Sequence, residues 1–110
     1  MADVLENVFQ LLCSSQKIER DKGALELQRC LKDAPNNDLC KAVETHAQRL
    51  LDELATPWET KHGALTACKI LLEDPKHGLS DGFTHACKDY SLRLSEDNEF
   101  RVRIAAGELL

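Results

Sequence analysis

Aromatic residues, glycine and proline are all scarce in this 110-residue sequence. Aromatic side chains make up 5% of the chain, and there are five Gly and three Pro. Because strands favour aromatic and β-branched residues, this shortage favours helices over sheets. The 43% apolar and 30% charged residues are typical of a folded, soluble chain and argue against disorder. The length allows one domain with a single core.

Long apolar runs and an excess of basic residues are also missing. No run approaches the roughly 18 apolar residues that a membrane-spanning helix needs, so no span is expected. The N-terminal Met-Ala-Asp-Val-Leu-Glu has neither the basic nor the apolar region of a signal peptide. Fourteen Lys and Arg against nineteen Asp and Glu give a net charge of −5. This balance disfavours nucleic acid or an anionic membrane as a general partner.

The cysteines do not have the pattern of a disulfide framework. Their number is odd, their spacings are wide, and no C-x-x-C occurs. Each lies in or beside an apolar stretch, so we predict reduced, mostly buried thiols in a cytoplasmic or nuclear protein. The five are Cys13, Cys30, Cys40, Cys68 and Cys87.

Apolar residues recur with helical spacing along almost the whole chain. The clearest helix start is the segment Thr56-Pro57-Trp58-Glu59, with Thr56 as the N-cap and Pro57 in the first helical position. Short segments containing Ser, Asn, Pro or Gly separate the helical stretches and favour antiparallel neighbours. The predicted helices cover roughly 3–13, 16–33, 38–54, 57–73, 80–94 and the residues from about 99 onward.

A shift of forty residues aligns the chain with itself without a gap. Gly23 falls on Gly63 and Leu25 on Leu65, and both leucines are predicted to lie in the core. Other aligned pairs are Glu19–Glu59, Ala24–Ala64, Leu31–Leu71, Pro35–Pro75, Leu39–Leu79, Val43–Phe83, Ala47–Cys87, Leu50–Tyr90 and Leu54–Leu94. Glycine inside a helix costs about 1 kcal/mol relative to alanine. Its presence at both aligned positions therefore predicts the close approach of a neighbouring helix.

Helix pairs that repeat at about forty residues resemble the HEAT repeats of armadillo-like superhelices. The second helix of such a repeat often opens with Asp, a hydrophobe and a basic residue, followed by a small residue. Asp97, Val102, Arg103 and Ala106 match this pattern, and the segment 58–65 matches it in part. The resemblance implies an all-α superhelix of about three antiparallel helix pairs, the last incomplete. It divides the single domain 1–110 into approximate repeats 1–35, 36–75 and 76–110.

The resemblance also implies roles for charged residues. The second helices of such repeats line a concave surface, which here would carry Lys22, Arg29, His62 and Lys69 as a partner-binding face. The alternative, favoured for any single residue, is a solvated face with i,i+4 ion pairs. Those pairs would be Lys22–Glu26, Arg29–Asp33 and Lys69–Glu73. Asp97 and Arg103 are expected to bond between neighbouring repeats, with a partner contact as the alternative.

The C-terminal residues Ile104 to Leu110 form an apolar stretch with no polar cap. We therefore expect the chain to be the N-terminal part of a longer solenoid, because solenoids need polar end repeats for solubility. An uncovered apolar edge of this kind also favours self-association.

Signals for catalysis and metal binding are weak. His77, His85 and Cys87 lie close together but match no standard zinc spacing, so surface histidines and a packed thiol are the preferred interpretation. No nucleophile elbow, phosphate-binding glycine loop or H-E-x-x-H occurs. We expect no enzyme activity, cofactor or metal. The predicted function is a protein–protein interaction scaffold. The alternatives are a nucleic-acid-binding helical array, and a small metal-binding or thiol enzyme domain.

Overall fold

The computed structural model describes residues 2–33, 37–53, 57–73 and 81–109. Within these ranges the chain forms six helices and no strand, which confirms the all-α prediction. Every described helix end lies within two residues of its predicted position. The helices are α1 (Ala2–Leu12), α2 (Lys17–Asp33), α3 (Asn37–Asp52), α4 (Trp58–Glu73), α5 (Asp81–Leu94) and α6 (Phe100–Glu108).

The start of α4 differs by one residue from the prediction. The carbonyl of Pro57 accepts hydrogen bonds from the backbone N–H groups of Thr60 and Lys61, at 3.1 and 3.2 Å. Pro57 therefore supplies the first acceptor of the helix, as an N-cap residue does, and the helix begins at Trp58. The predicted N-cap, Thr56, lies outside the described residues.

Helix α4 lies at the centre of the domain. The helices pack in the pairs α1 with α2, α3 with α4, and α5 with α6, while α4 also contacts α1, α2 and α6. Seven of the sixteen α4 residues are buried, including Leu65 and Leu71. The other helices add large buried side chains such as Leu12, Leu27 and Val102. The core is thus built around α4, as its mostly small and aliphatic sequence allows.

The two aligned glycines are both places of close helix approach, as predicted. A Cβ on Gly23 would lie 2.8 Å from the Leu11 Cβ and 2.9 Å from the Leu12 nitrogen. A Cβ on Gly63 would lie 2.7 Å from the Leu12 oxygen and 2.7 Å from the Cys13 sulfur. The C-terminal end of α1 therefore lies against both α2 and α4, and only glycine leaves room for it.

Burial repeats at several positions forty residues apart. The aligned pairs Leu31 with Leu71 and Ala47 with Cys87 are all buried. Leu25 is the exception, because it is 62% exposed whereas Leu65 is 1% exposed. The predicted core position of Leu25 is therefore wrong.

Helix rotation explains the exposure of Leu25. The buried residues of α2 include Gly23, Leu27 and Leu31, and Leu25 is rotated by roughly 200° from Leu27 around the helix. Ile18 lies on the same face of α2, seven residues before Leu25, and is also exposed, at 84%. The outward stripe of α2 therefore carries two large apolar side chains in solvent.

Candidate functional site

Of the four predicted partner-binding residues, two are exposed on α2 and two are partly buried on α4. Lys22 and Arg29 are exposed on α2, and neither forms an ion pair with a residue that the structure describes. Glu26, the expected partner of Lys22, is thus not engaged with it. The side chain of Asp33, the expected partner of Arg29, lies outside the described set. On α2, two cations therefore stand free of described carboxylates.

Lys69 on α4 belongs to a contact within the domain. Its Nζ lies 2.8 Å from the Glu108 Oε2 of α6, whereas the sequence predicts Glu73 as its partner. The hydrogen bond to the Glu108 carboxylate raises the pKa of Lys69 above its ordinary value. The Glu73 carboxylate instead accepts a hydrogen bond from the Gln28 amide, at 3.4 Å. Lys69 therefore links α4 to α6.

His62 is half-buried and is poorly placed to act as a cation. Its Nδ1 is buried and has no hydrogen-bond partner among the described residues. Burial and the nearby Arg20 guanidinium lower the pKa of His62 below its ordinary value of 6.5. Trp58 meets its ring edge-on, with the centroids 6.2 Å apart. The imidazole is therefore neutral at pH 7 and packs as an aromatic group.

Trp58, His62, Leu65 and Lys69 form the α4 row, a set of residues at i, i+4, i+7 and i+11 on one face of α4. Helix α6 covers this row. The Arg101 guanidinium lies 3.8 Å from the Trp58 ring centroid at one end, and the Lys69–Glu108 pair closes the other end. Leu65, between them, is almost fully buried.

Ile18, Lys22, Leu25 and Arg29 form the α2 row, which aligns with the α4 row in the forty-residue repeat. All four side chains are exposed. The α2 row thus presents two large apolar groups alternating with two cations. On α4, the residues at the aligned positions are covered by α6. The sequence indicates the two cations. It assigns Leu25 to the core, because apolar character alone does not show which face a helix turns outward.

Asp97 and Arg103 lie near the start of α6 and make different kinds of contact. The Asp97 carboxylate accepts hydrogen bonds from the Lys61 ammonium of α4 and from the Glu99 backbone N–H, both at 2.9 Å. Burial opposes ionisation, but these two donors lower the pKa of Asp97 below its ordinary value. Arg103 donates to the backbone carbonyls of Asp97 and Asn98 in its own loop. Asp97 therefore joins α6 to α4, and Arg103 braces the turn.

A cleft of about 340 Å³ between α1, α3 and the start of α4 contains Cys13 and His46. Burial raises the pKa of the Cys13 thiol to about 11, so it is protonated at neutral pH. The His46 ring stacks on Phe9 at 4.1 Å, and its Nδ1 lies 3.3 Å from the Arg49 guanidinium. A protonated thiol is a poor nucleophile, so this cleft gives no support to thiol catalysis.

The described residues contain no group of three His, Cys, Asp or Glu side chains placed to hold a metal ion. His77 lies outside the described ranges, and His85 is exposed on α5. Cys40, Cys68 and Cys87 are buried and the other two cysteines are half-buried, and none of the five is in a disulfide. None of the described helices is long and apolar enough to cross a membrane.

Comparison with known proteins found no relative of this chain. No protein-family model matches the chain, and no curated protein or solved structure is significantly similar to it.

Proposed function

We propose that this domain is a non-catalytic protein-interaction module, built as a short stack of HEAT-type helix pairs, and that the α2 row is its binding surface. The pairing of α1 with α2, α3 with α4 and α5 with α6 supports the stacked arrangement. The contacts of α4 with α2 and α6 are those expected between neighbouring pairs. We place the protein in the cytosol or nucleus, where its thiols remain reduced.

The observation that carries the proposal is the exposure of the α2 row. Ile18 and Leu25 are 84% and 62% exposed, and they lie on one helix face with the cations of Lys22 and Arg29. The matching row on α4 is covered by α6 of the same chain, with Leu65 buried and the other three side chains partly buried. Exposed apolar groups aligned along a helix face are typical of binding surfaces.

A nucleic-acid-binding array has weaker support. Phosphate backbones need an extended basic surface, whereas this chain carries a net charge of −5. Two large apolar side chains between the cations of the α2 row also fit a protein partner better than a phosphate backbone. A catalytic role has no supporting arrangement in the described residues.

Charge reversal on α2 tests the proposal. The double variant Lys22→Glu/Arg29→Glu is compared with Lys41→Glu/Lys88→Glu, which makes the same charge change at exposed positions on α3 and α5. Each tagged protein is used for quantitative affinity capture from cells, after circular dichroism has shown an unchanged fold. We expect at least one partner to be lost with the α2 variant and retained with the control. Identical captured sets for wild type and both variants would refute a binding role for the α2 row.

A further inference from the structure

We infer that the α2 row binds a partner's amphipathic helix carrying acidic residues on both sides of an apolar stripe, and that this helix lies on α2 as α6 lies on α4. The inference rests on the proposed function and specifies the chemistry of the partner.

The α4 row shows what kind of helix can cover residues with this spacing. Trp58 contacts Arg101 near the start of both helices, and Lys69 contacts Glu108 near the end of both. Helices α4 and α6 therefore run in the same direction along the row. The buried face of α6 is made of small and aliphatic residues, namely Val102, Ala105 and Ala106. Such a face lets a second helix approach closely and cover the central leucine.

The α2 row has the same spacing and no cover, but its charge is different. Arg29 takes the place of Lys69, and Lys22 takes the place of the neutral His62. Lys32 is exposed and continues the same face one turn beyond Arg29. A helix that covers this row therefore has to supply more than the one carboxylate that Glu108 supplies to α4.

None of the carboxylates whose side chains the structure describes pairs with Lys22 or Arg29. Asp21 pairs with Lys17 at 2.9 Å, and Glu19 accepts a hydrogen bond from the Ser14 hydroxyl at 2.8 Å. Lys22 and Arg29 are both exposed and are free of the carboxylates that the structure describes. A helix with two apolar residues about seven positions apart and Glu or Asp on their flanks would meet all four groups. The row from Ile18 to Arg29 is about 16 Å long, which corresponds to roughly three helical turns.

A second copy of this chain is a poorer occupant than an acidic helix. Apart from the α2 row, it exposes two large apolar residues on one face of α6, Phe100 and Ile104, which are 55% and 57% exposed. That face also carries the exposed Arg103, which would oppose the cations of α2. Its nearby carboxylate, Glu108, is already paired with Lys69.

The probe is a panel of helix-stabilised peptides of about four turns, designed with Leu at i and i+7 and Glu on both flanks. A matched panel has Lys in place of every Glu. Binding to the full 110-residue chain is measured by fluorescence anisotropy at about 0.15 M salt and at lower salt. We expect the acidic peptides to bind, with affinity that falls as salt rises, and the Lys peptides to bind at least fivefold more weakly.

Two pairs of variants locate the binding site. We expect Leu25→Ser to weaken binding of the acidic peptide by about tenfold or more, and Leu92→Ser, at a 54% exposed position on α5, to leave it unchanged. Arg29→Glu is expected to weaken binding about fivefold, and Lys88→Glu not to change it. Ile18→Ser provides a second test of the apolar contact. All five substitutions are at exposed positions, so circular dichroism should show native helix content.

The inference is overturned if no acidic peptide binds, if acidic and basic peptides bind equally, or if the α2 variants bind as wild type does. It is also overturned if sedimentation shows a dimer that the α2 variants dissociate, because a second copy would then occupy the row. If Lys22→Glu/Arg29→Glu loses a cellular partner but no acidic peptide binds the chain, the proposed function stands and only the partner chemistry is refuted. Peptide binding with the expected losses supports the inference.

Discussion

Replacing Gly63 by alanine tests the close packing of α1 against α4. The new Cβ would lie 2.7 Å from the Leu12 oxygen, 2.8 Å from the Leu12 carbonyl carbon and 2.7 Å from the Cys13 sulfur. Two of these atoms belong to the backbone, so α1 has to move. Overpacking of this kind costs about 1–3 kcal/mol, while alanine returns about 1 kcal/mol of helix propensity. We expect Gly63→Ala to be destabilising by about 1 kcal/mol net.

Gly82 provides the matched control, because it also lies in a helix and a Cβ there would meet nothing within 4 Å. Gly82→Ala should be stabilising by about 0.4–1 kcal/mol. Gly82 lies in the first turn of α5 and gains less helix propensity than Gly63, so the difference between the two free energies of unfolding gives a lower limit for the cost of the contact. Urea unfolding followed by circular dichroism measures both, with unchanged m-values as the check on two-state behaviour. Equal stability of Gly63→Ala and Gly82→Ala would refute the packing argument.

Two further predictions use the same unfolding assay. Leu65→Ala should cost about 2–5 kcal/mol because Leu65 is buried, whereas Leu25→Ala should change stability by less than about 0.5 kcal/mol. Equal losses at the two aligned positions would contradict the helix rotation seen in α2. His62 has a lower pKa in the folded chain than its ordinary 6.5, so the unfolded chain binds more protons between those two values. Stability should therefore fall as pH drops below about 6.5. His62→Gln should reduce the slope of the free energy of unfolding against pH, and an identical slope in the variant would exclude His62 as its cause.

The helices and the close glycine contacts can be predicted from the sequence because both depend on local information. Helix limits follow from apolar spacing and from residues such as Pro57 that mark the start of a helix. Gly23 and Gly63 stand out because each is unfavourable where it lies, so a packing reason is expected. The shared neighbour of both glycines, α1, cannot be foreseen, since periodicity does not show which helices meet.

The candidate site is only half predictable for the same reason. The positions of Lys22 and Arg29 on one helix face follow from their spacing, but their freedom from described ion partners depends on the rotation of α2. The sequence pairs Lys69 with Glu73, four residues on, because local pairs can be derived from sequence. Its observed partner, Glu108, lies 39 residues away and is determined by the packing of α6 on α4. The prediction for Leu25 is wrong because α2 is rotated so that Leu25 faces solvent, whereas its aligned partner, Leu65, faces the core.

The position of α1 has a consequence for how the domain unfolds. In a simple array each helix pair touches only the next, so an end pair can detach while the remainder stays ordered. Here both members of the first pair, α1 and α2, contact α4, so this pair is held to the next one through two interfaces. The first pair can detach only if both interfaces open, so α1 and α2 should exchange their slowest amide hydrogens with a common free energy rather than in sequence from the chain end.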